Sequence, residues 1–129
     1  MTTTAVSTPT VSSIIAGRAR EDAPGGRQSS TNPARTEETV AEVLLGDAQT
    51  FVDACQAARN AQAEWAATPA PTRGRAIQQI GRLVEDNKES LARLVTREIG
   101  KPYAESLGEV QEIVDTCNFF LGEGRRLYG

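Results

Sequence analysis

The chain has 129 residues, 24% of them charged, with a net charge of −3 and a pI near 5.0. That suits one modest domain, and a weakly acidic chain without a basic stripe argues against nucleic acid or an anionic membrane as partner. Histidine is absent, which excludes His-dependent triads, His metal sites and a histidine pH switch.

Residues 1–31 are rich in Thr, Ser, Gly and Pro, with Ile14 and Ile15 as an apolar exception. Little there offsets the entropy of ordering a backbone, so a disordered tail is expected. Glu21 and Asp22 interrupt any transit-peptide pattern, and no apolar stretch fits a secretory signal. The folded part is expected over 32–129. Asn32-Pro33-Ala34-Arg35 signals a turn. Thr39 to Leu45 is β-branched and apolar, which predicts a short strand. A hairpin partner would lie upstream, near Ser29 to Thr31, and Gly46 ends the strand.

Helical patterns follow. Asp47 is an N-cap candidate, and Phe51, Ala54, Ala58, Ala61 and Trp65 recur at helical spacing. Thr68-Pro69-Ala70-Pro71 breaks that helix, and Pro71 suits the first turn of the next. Ile77, Ile80 and Val84 form its apolar face. Asn87 reads as a break or a second N-cap. Leu91, Leu94, Val95 and Ile99 resume the stripe, with Glu89 and Arg93 as a favourable i, i+4 pair. Gly100 and Pro102 stop it. The last helix is expected from about Tyr103 to Arg126, with a seam of Leu107, Val110, Val114, Cys117 and Leu121. The fold class is therefore mainly α, three to four helices after a short strand or hairpin.

Two motifs imitate nucleotide sites. Gly122-Glu123-Gly124 starts like a dinucleotide fingerprint, but its third glycine comes too late and it follows a helix. Gly100-Lys101-Pro102 ends like a phosphate loop, but Val95 stands at the upstream glycine position and Pro102 at the Ser/Thr position. Cys55 and Cys117 lie on apolar sides of their helices without a base, which predicts inert core residues. Two cysteines cannot form a thiolate zinc site, and a reducing compartment, the cytoplasm, is the simplest reading. Glu105, Glu109 and Glu112 read as a solvated helix face. No run of about 18 apolar residues spans a membrane.

Residues 32–129 resemble the N-terminal part of the aldehyde dehydrogenase superfamily. The resemblance rests on Asn32-Pro33-Ala34, then Asp53-Ala54 and Ala57-Ala58-Arg59 with Trp65. It continues through Pro71 and Arg73, and Leu91-Ala92-Arg93-Leu94-Val95-Thr96-Arg97-Glu98. Gly100-Lys101-Pro102-Tyr103-Ala104-Glu105 and Gly108-Glu109-Val110 complete it. Gln111, Glu112, Val114, Asp115 and Cys117 add similarity to the branch acting on aminoadipate semialdehyde and related cyclic imines.

The resemblance implies the N-terminal part of an α/β fold, with helices packing on a cofactor-binding domain. It implies NAD(P)-dependent oxidation of an aldehyde to an acid by a cysteine nucleophile, and a homo-oligomer. The family's nucleophile, general base, oxyanion donor and phosphate turn match no position here, and neither Cys55 nor Cys117 sits at the nucleophile position. The implied cofactor, NAD or NADP, is thus expected in the full-length family and not on this chain alone. The implied partner is the remainder of the dehydrogenase chain or another subunit. Glu109, with Thr31, matches a family site for a monovalent cation. A free-standing helical interaction module derived from this region is the competing expectation.

Overall fold

The computed structural model describes residues 8–123 and 126. Strands β1 (Thr10–Val11), β2 (Ile14–Ile15), β3 (Arg18–Ala19), β4 (Gly26–Asn32) and β5 (Arg35–Leu45) come first. Helices α1 (Ala48–Ala67), α2 (Ala70–Asp86), α3 (Lys88–Ile99) and α4 (Tyr103–Glu123) follow. The chain divides into two compact units, Met1–Asn60 and Ala61–Gly129, and α1 runs through the division.

The first unit is built on β5, which pairs antiparallel with β4 and parallel with β1. The expected hairpin is present and longer than its apolar signal. Asn32 forms its turn: its Oδ1 accepts from the Ala34 N–H at 2.9 Å while its Nδ2 donates to Glu38 at 2.9 Å. These bonds satisfy a side chain that is buried. The register slips between Ser30↔Ala41 and Thr31↔Thr39, leaving Val40 as an extra residue. That bulge explains why adjacent Val40 and Ala41 are both buried.

The expectation of a disordered tail to residue 31 fails for the described part of it. Thr10–Val11 and Gly26–Asn32 join the sheet, and Ile14–Ile15 pairs with Arg18–Ala19 around a tight turn of Ala16 and Gly17, both with positive φ. Backbone ladders order these residues with few apolar side chains, a long-range effect that local composition does not carry. Residues 1–7 of the expected tail lie outside the described residues.

Asp47 caps α1 as expected. Its carboxylate accepts from the Thr50 N–H at 2.8 Å and the Thr50 hydroxyl at 2.9 Å, and Thr50 Oγ1 accepts from the Asp47 N–H at 3.2 Å. The α1 stripe, however, is not a buried face. Phe51 is 71% exposed, Trp65 is 51% exposed, and Thr50 is the buried residue of this helix. At its far end, Arg73 donates to the Trp65, Ala66 and Thr68 carbonyls, which helix ends leave open.

In the second unit, α2 and α3 both pack on α4. Asn87 is a break and not a forward cap: its Nδ2 donates back to the Leu83 carbonyl at 2.8 Å. Gly100 ends α3 in the left-handed conformation, φ 71°, which glycine tolerates without a Cβ penalty. Glu89 and Arg93 form the expected exposed pair at 3.8 Å. The α4 seam holds: Val110, Val114 and Cys117 are buried, with Leu107 and Leu121 half-buried. The described helix ends at Glu123, short of Arg126, which instead donates to the Glu123 carboxylate at 2.7 Å.

The α2 and α3 stripes are rotated from expectation. Ile77, Val84, Leu91 and Val95 are half-buried, but Ile80, Leu94 and Ile99 are exposed, while Gly74, Gly81 and Ala92 are buried. The two glycines let α2 approach α4 closely. A Cβ at Gly74 would stand 2.4 Å from the Leu121 carbonyl oxygen, and one at Gly81 would stand 2.8 Å from the Cys117 Cβ.

Two expectations follow. Gly108→Ala, where a Cβ meets nothing within 4 Å, gains helix propensity and stabilises by about 0.8–1 kcal/mol. Gly81→Ala loses more than that gain, with overpacking of about 1–3 kcal/mol, and Gly74→Ala is worse because its obstacle is backbone. Thermal and urea melts of the three variants should rank Gly108→Ala above wild type, then Gly81→Ala, then Gly74→Ala. In addition, the Thr50 N–H and then its hydroxyl hold the Asp47 carboxyl below the usual carboxylate range. A lowered folded value means stability that is present above about pH 4 and lost as pH falls through the folded value. The stability difference between wild type and Asp47→Asn, followed by acid melts, should therefore narrow below pH 4; a pH-independent difference would remove this contribution.

Candidate functional site

Ionic chemistry in the second unit gathers where α3 hands over to α4. Lys101, two residues before α4, is half-buried and donates to the Glu109 carboxylate, with Glu105 at 3.9 Å. The Glu109 hydrogen bond, partly opposed by desolvation, raises the Lys101 ammonium above its ordinary value. The acidic face of α4 is thus not purely solvated. Glu105 and Glu109, like charges one turn apart, share a cation supplied by the chain.

Beneath it, the Thr96 and fully buried Ser106 hydroxyls are 2.8 Å apart, tying α3 to α4. Lys88 Nζ donates to Gln111 at 2.6 Å. The Arg93 guanidinium lies 5.0 Å from the centre of the Tyr103 ring. Each of these contacts joins α3 to α4, and none sets a base beside a nucleophile.

In the first unit, Arg20 donates to Asp22 at 2.9 Å and to Asp53 on α1 at 3.2 Å. These bonds, Asp22 first, raise the Arg20 guanidinium and lower the Asp22 carboxyl. Thr31, the other cation candidate, sits on β4 opposite Thr39. Thr31 and Glu109 fall in different compact units. Among the described residues no group of three His, Cys, Asp or Glu side chains converges on a metal position.

The lookalike motifs resolve as helix ends. Gly100 caps α3, Gly122 and Glu123 close α4, and Gly124 lies outside the described residues. Cys117 is buried, as expected of a core residue, but Cys55 is exposed. The strand-to-helix turn at Gly46-Asp47 is the sort of place where a phosphate sits on a helix N-terminus. Here the Asp47 carboxylate already takes the Thr50 N–H and adds negative charge, so the turn repels a phosphate. That turn therefore does not fit a pyrophosphate.

Sequence reasoning missed the contacts of Lys101, Arg20, Gly74 and Gly81. The seven-residue spacing of the two glycines was the available signal, since it places them on one helix face.

Comparison with known proteins places this geometry. The aldehyde dehydrogenase family profile matches residues 20–129. Aldehyde dehydrogenase family 7 member A1 of Pisum sativum is 35% identical over 92% of this chain and 23% of its own length. Alpha-aminoadipic semialdehyde dehydrogenase of Bos taurus is 37% identical over 71% of this chain and 17% of its own. The solved structure of an NAD-dependent benzaldehyde dehydrogenase from Corynebacterium glutamicum superposes with a TM-score of 0.84 at 26% identity, covering 90% of this chain and 25% of that one. The chain spans about a quarter or less of the length of these relatives. Its strands and helices have the fold of the N-terminal part of those enzymes, and the chain belongs to the aldehyde dehydrogenase family.

Proposed function

We propose that this chain is the N-terminal part of an NAD(P)-dependent aldehyde dehydrogenase acting on a semialdehyde of the aminoadipate type, and that alone it is inactive. The observation that carries the reading is the family match over residues 20–129 in a chain spanning 23% of the pea relative's length. The bovine relative's name supports the substrate class. Nicotinamide cofactors accept hydride in this chemistry, and groups outside the described residues would bind them.

What these residues do is hold shape. The β4–β5 hairpin, the Asp47 cap and the α2–α4 contact present helices on which a further domain can rest. Glu109 has the hard-oxygen chemistry of a cation ligand, and we extend the proposal to Thr31 and Glu109 as monovalent-cation ligands in the full-length enzyme. There potassium or sodium must displace the Lys101 ammonium from Glu109. A second reading, a helical interaction module, draws on the exposure of Phe51 and Phe119, 71% and 63%.

The test is complementation. A dehydrogenase relative lacking its matching segment should regain NAD reduction with its aldehyde when mixed with this chain. The chain alone should reduce no NAD or NADP above a heat-killed control, and NAD should leave its melting temperature unchanged. Turnover by the chain alone would overturn inactivity; failure to complement, together with a sharp two-state melt of a monomer, would favour the module. For the cation, a full-length relative carrying this segment should be stabilised by potassium over choline, and Glu109→Gln should lose that response.

A further inference from the structure

From Cys55 to Ala67 every residue of α1 is exposed except Ala57, which is half-buried. The buried residues of the first unit, among them Val40, Leu44 and Thr50, lie outside this stretch. So do those of the second unit, among them Ala92, Val110 and Cys117. The ends of the helix are held. Asp47 and buried Thr50 fix its start, and Asp53 accepts from Gln49 at 2.9 Å and from Arg20 at 3.2 Å. At the other end Arg73 takes the Trp65, Ala66 and Thr68 carbonyls.

Composition explains how a helix persists there without a buried face. Alanine, the residue of highest helix propensity, stands at positions 57, 58, 61, 63, 66 and 67. Propensity alone is a weak restraint. Propagation constants are only about 1–1.6 per residue for good helix formers near 0 °C, and isolated helices shorter than about 12–15 residues are marginal in water. Packing of an apolar face supplies most helical stability in proteins, and this stretch has none that is buried.

We propose that residues 55–67 form a conditional helix, a strap that melts and re-forms while the two units it joins stay folded. Opening it takes no buried side chain from either core. It therefore proceeds at low free energy, as local opening does wherever apolar burial is small. The strap is also a protease-sensitive joint. Arg59 is the one Lys or Arg between Arg35 and Arg73, and it lies one residue before the division of the units. Melting presents the Arg59–Asn60 bond as extended chain, the form in which trypsin cleaves.

Amide hydrogen exchange on the 129-residue chain tests this. Amides of residues 58–67 should exchange at least about a hundredfold faster than those of 110–117 in the buried α4 seam. Brief trypsin treatment should release pieces that end at Arg59 and begin at Asn60, while the exposed Arg82 and Arg93 of α2 and α3 remain uncut. Ala63→Pro breaks the strap one turn beyond Arg59. It should speed the exchange and the cleavage and remove helical circular dichroism, yet keep the melting temperature within about 4 °C of wild type. The same substitution in a helix that belongs to a core lowers it by more than about 10 °C. Three results would overturn the proposal: exchange over 58–67 short of the hundredfold margin, first cuts at Arg82 or Arg93, or a melting temperature that Ala63→Pro lowers beyond the stated limit.

Discussion

The second unit depends on how closely α2 approaches α4. Two glycines, Gly74 and Gly81, put the α2 backbone against the Leu121 carbonyl and the Cys117 side chain, where no Cβ fits. With aromatics at 5% of the chain, large anchors are scarce, and close approach of backbones supplies the packing that large side chains would otherwise supply. The cost is two glycines inside a helix, each less favourable than alanine by about 1 kcal/mol. The buried α4 seam of Val110, Val114 and Cys117 offsets that cost by giving the approaching helix an apolar surface.

Polar contacts then define the connections. Asn32 and Glu38 form the hairpin turn, Asp47 and Thr50 start α1, and Arg73 collects the carbonyls at its end. Lys101 offsets part of the charge of two glutamates as α4 begins, and Thr96 and Ser106 join α3 to α4 at the same junction. Each satisfies groups at the end of an element, where orphan backbone groups or like charges would otherwise destabilise it. None activates a nucleophile.

The exposed surface tells the complementary story. The chain buries the inner seams of its helices and leaves Phe51, Trp65, Leu83, Phe119 and Phe120 in solvent.

Local chemistry was legible wherever a few adjacent residues decide it. The Asn32-Pro33 turn, the Asp47 cap, the Pro71 start, the Asn87 break and the Gly100 stop were readable because each depends on the φ, ψ or hydrogen-bonding habits of one residue type. The α4 seam was legible because its period is unbroken. The order of residues 10–31 was not, since it comes from pairing of β1 and β4 with β5 and of β2 with β3, and a strand's partner is not written in its own composition. The rotation of the α2 stripe was equally hidden. Hydropathy selects Ile80 for the interior, but van der Waals contact at a close crossing selects Gly81, and only the partner helix shows which face is pressed. Lys101 and Glu109 are eight residues apart in the chain, and the reversal at Gly100-Lys101-Pro102 is what brings their charges together. The sequence alone therefore determined where the helices start and break and the family the chain belongs to. The tertiary structure decided which faces are buried and which charges meet, because those depend on distances between residues that the chain's local chemistry does not constrain.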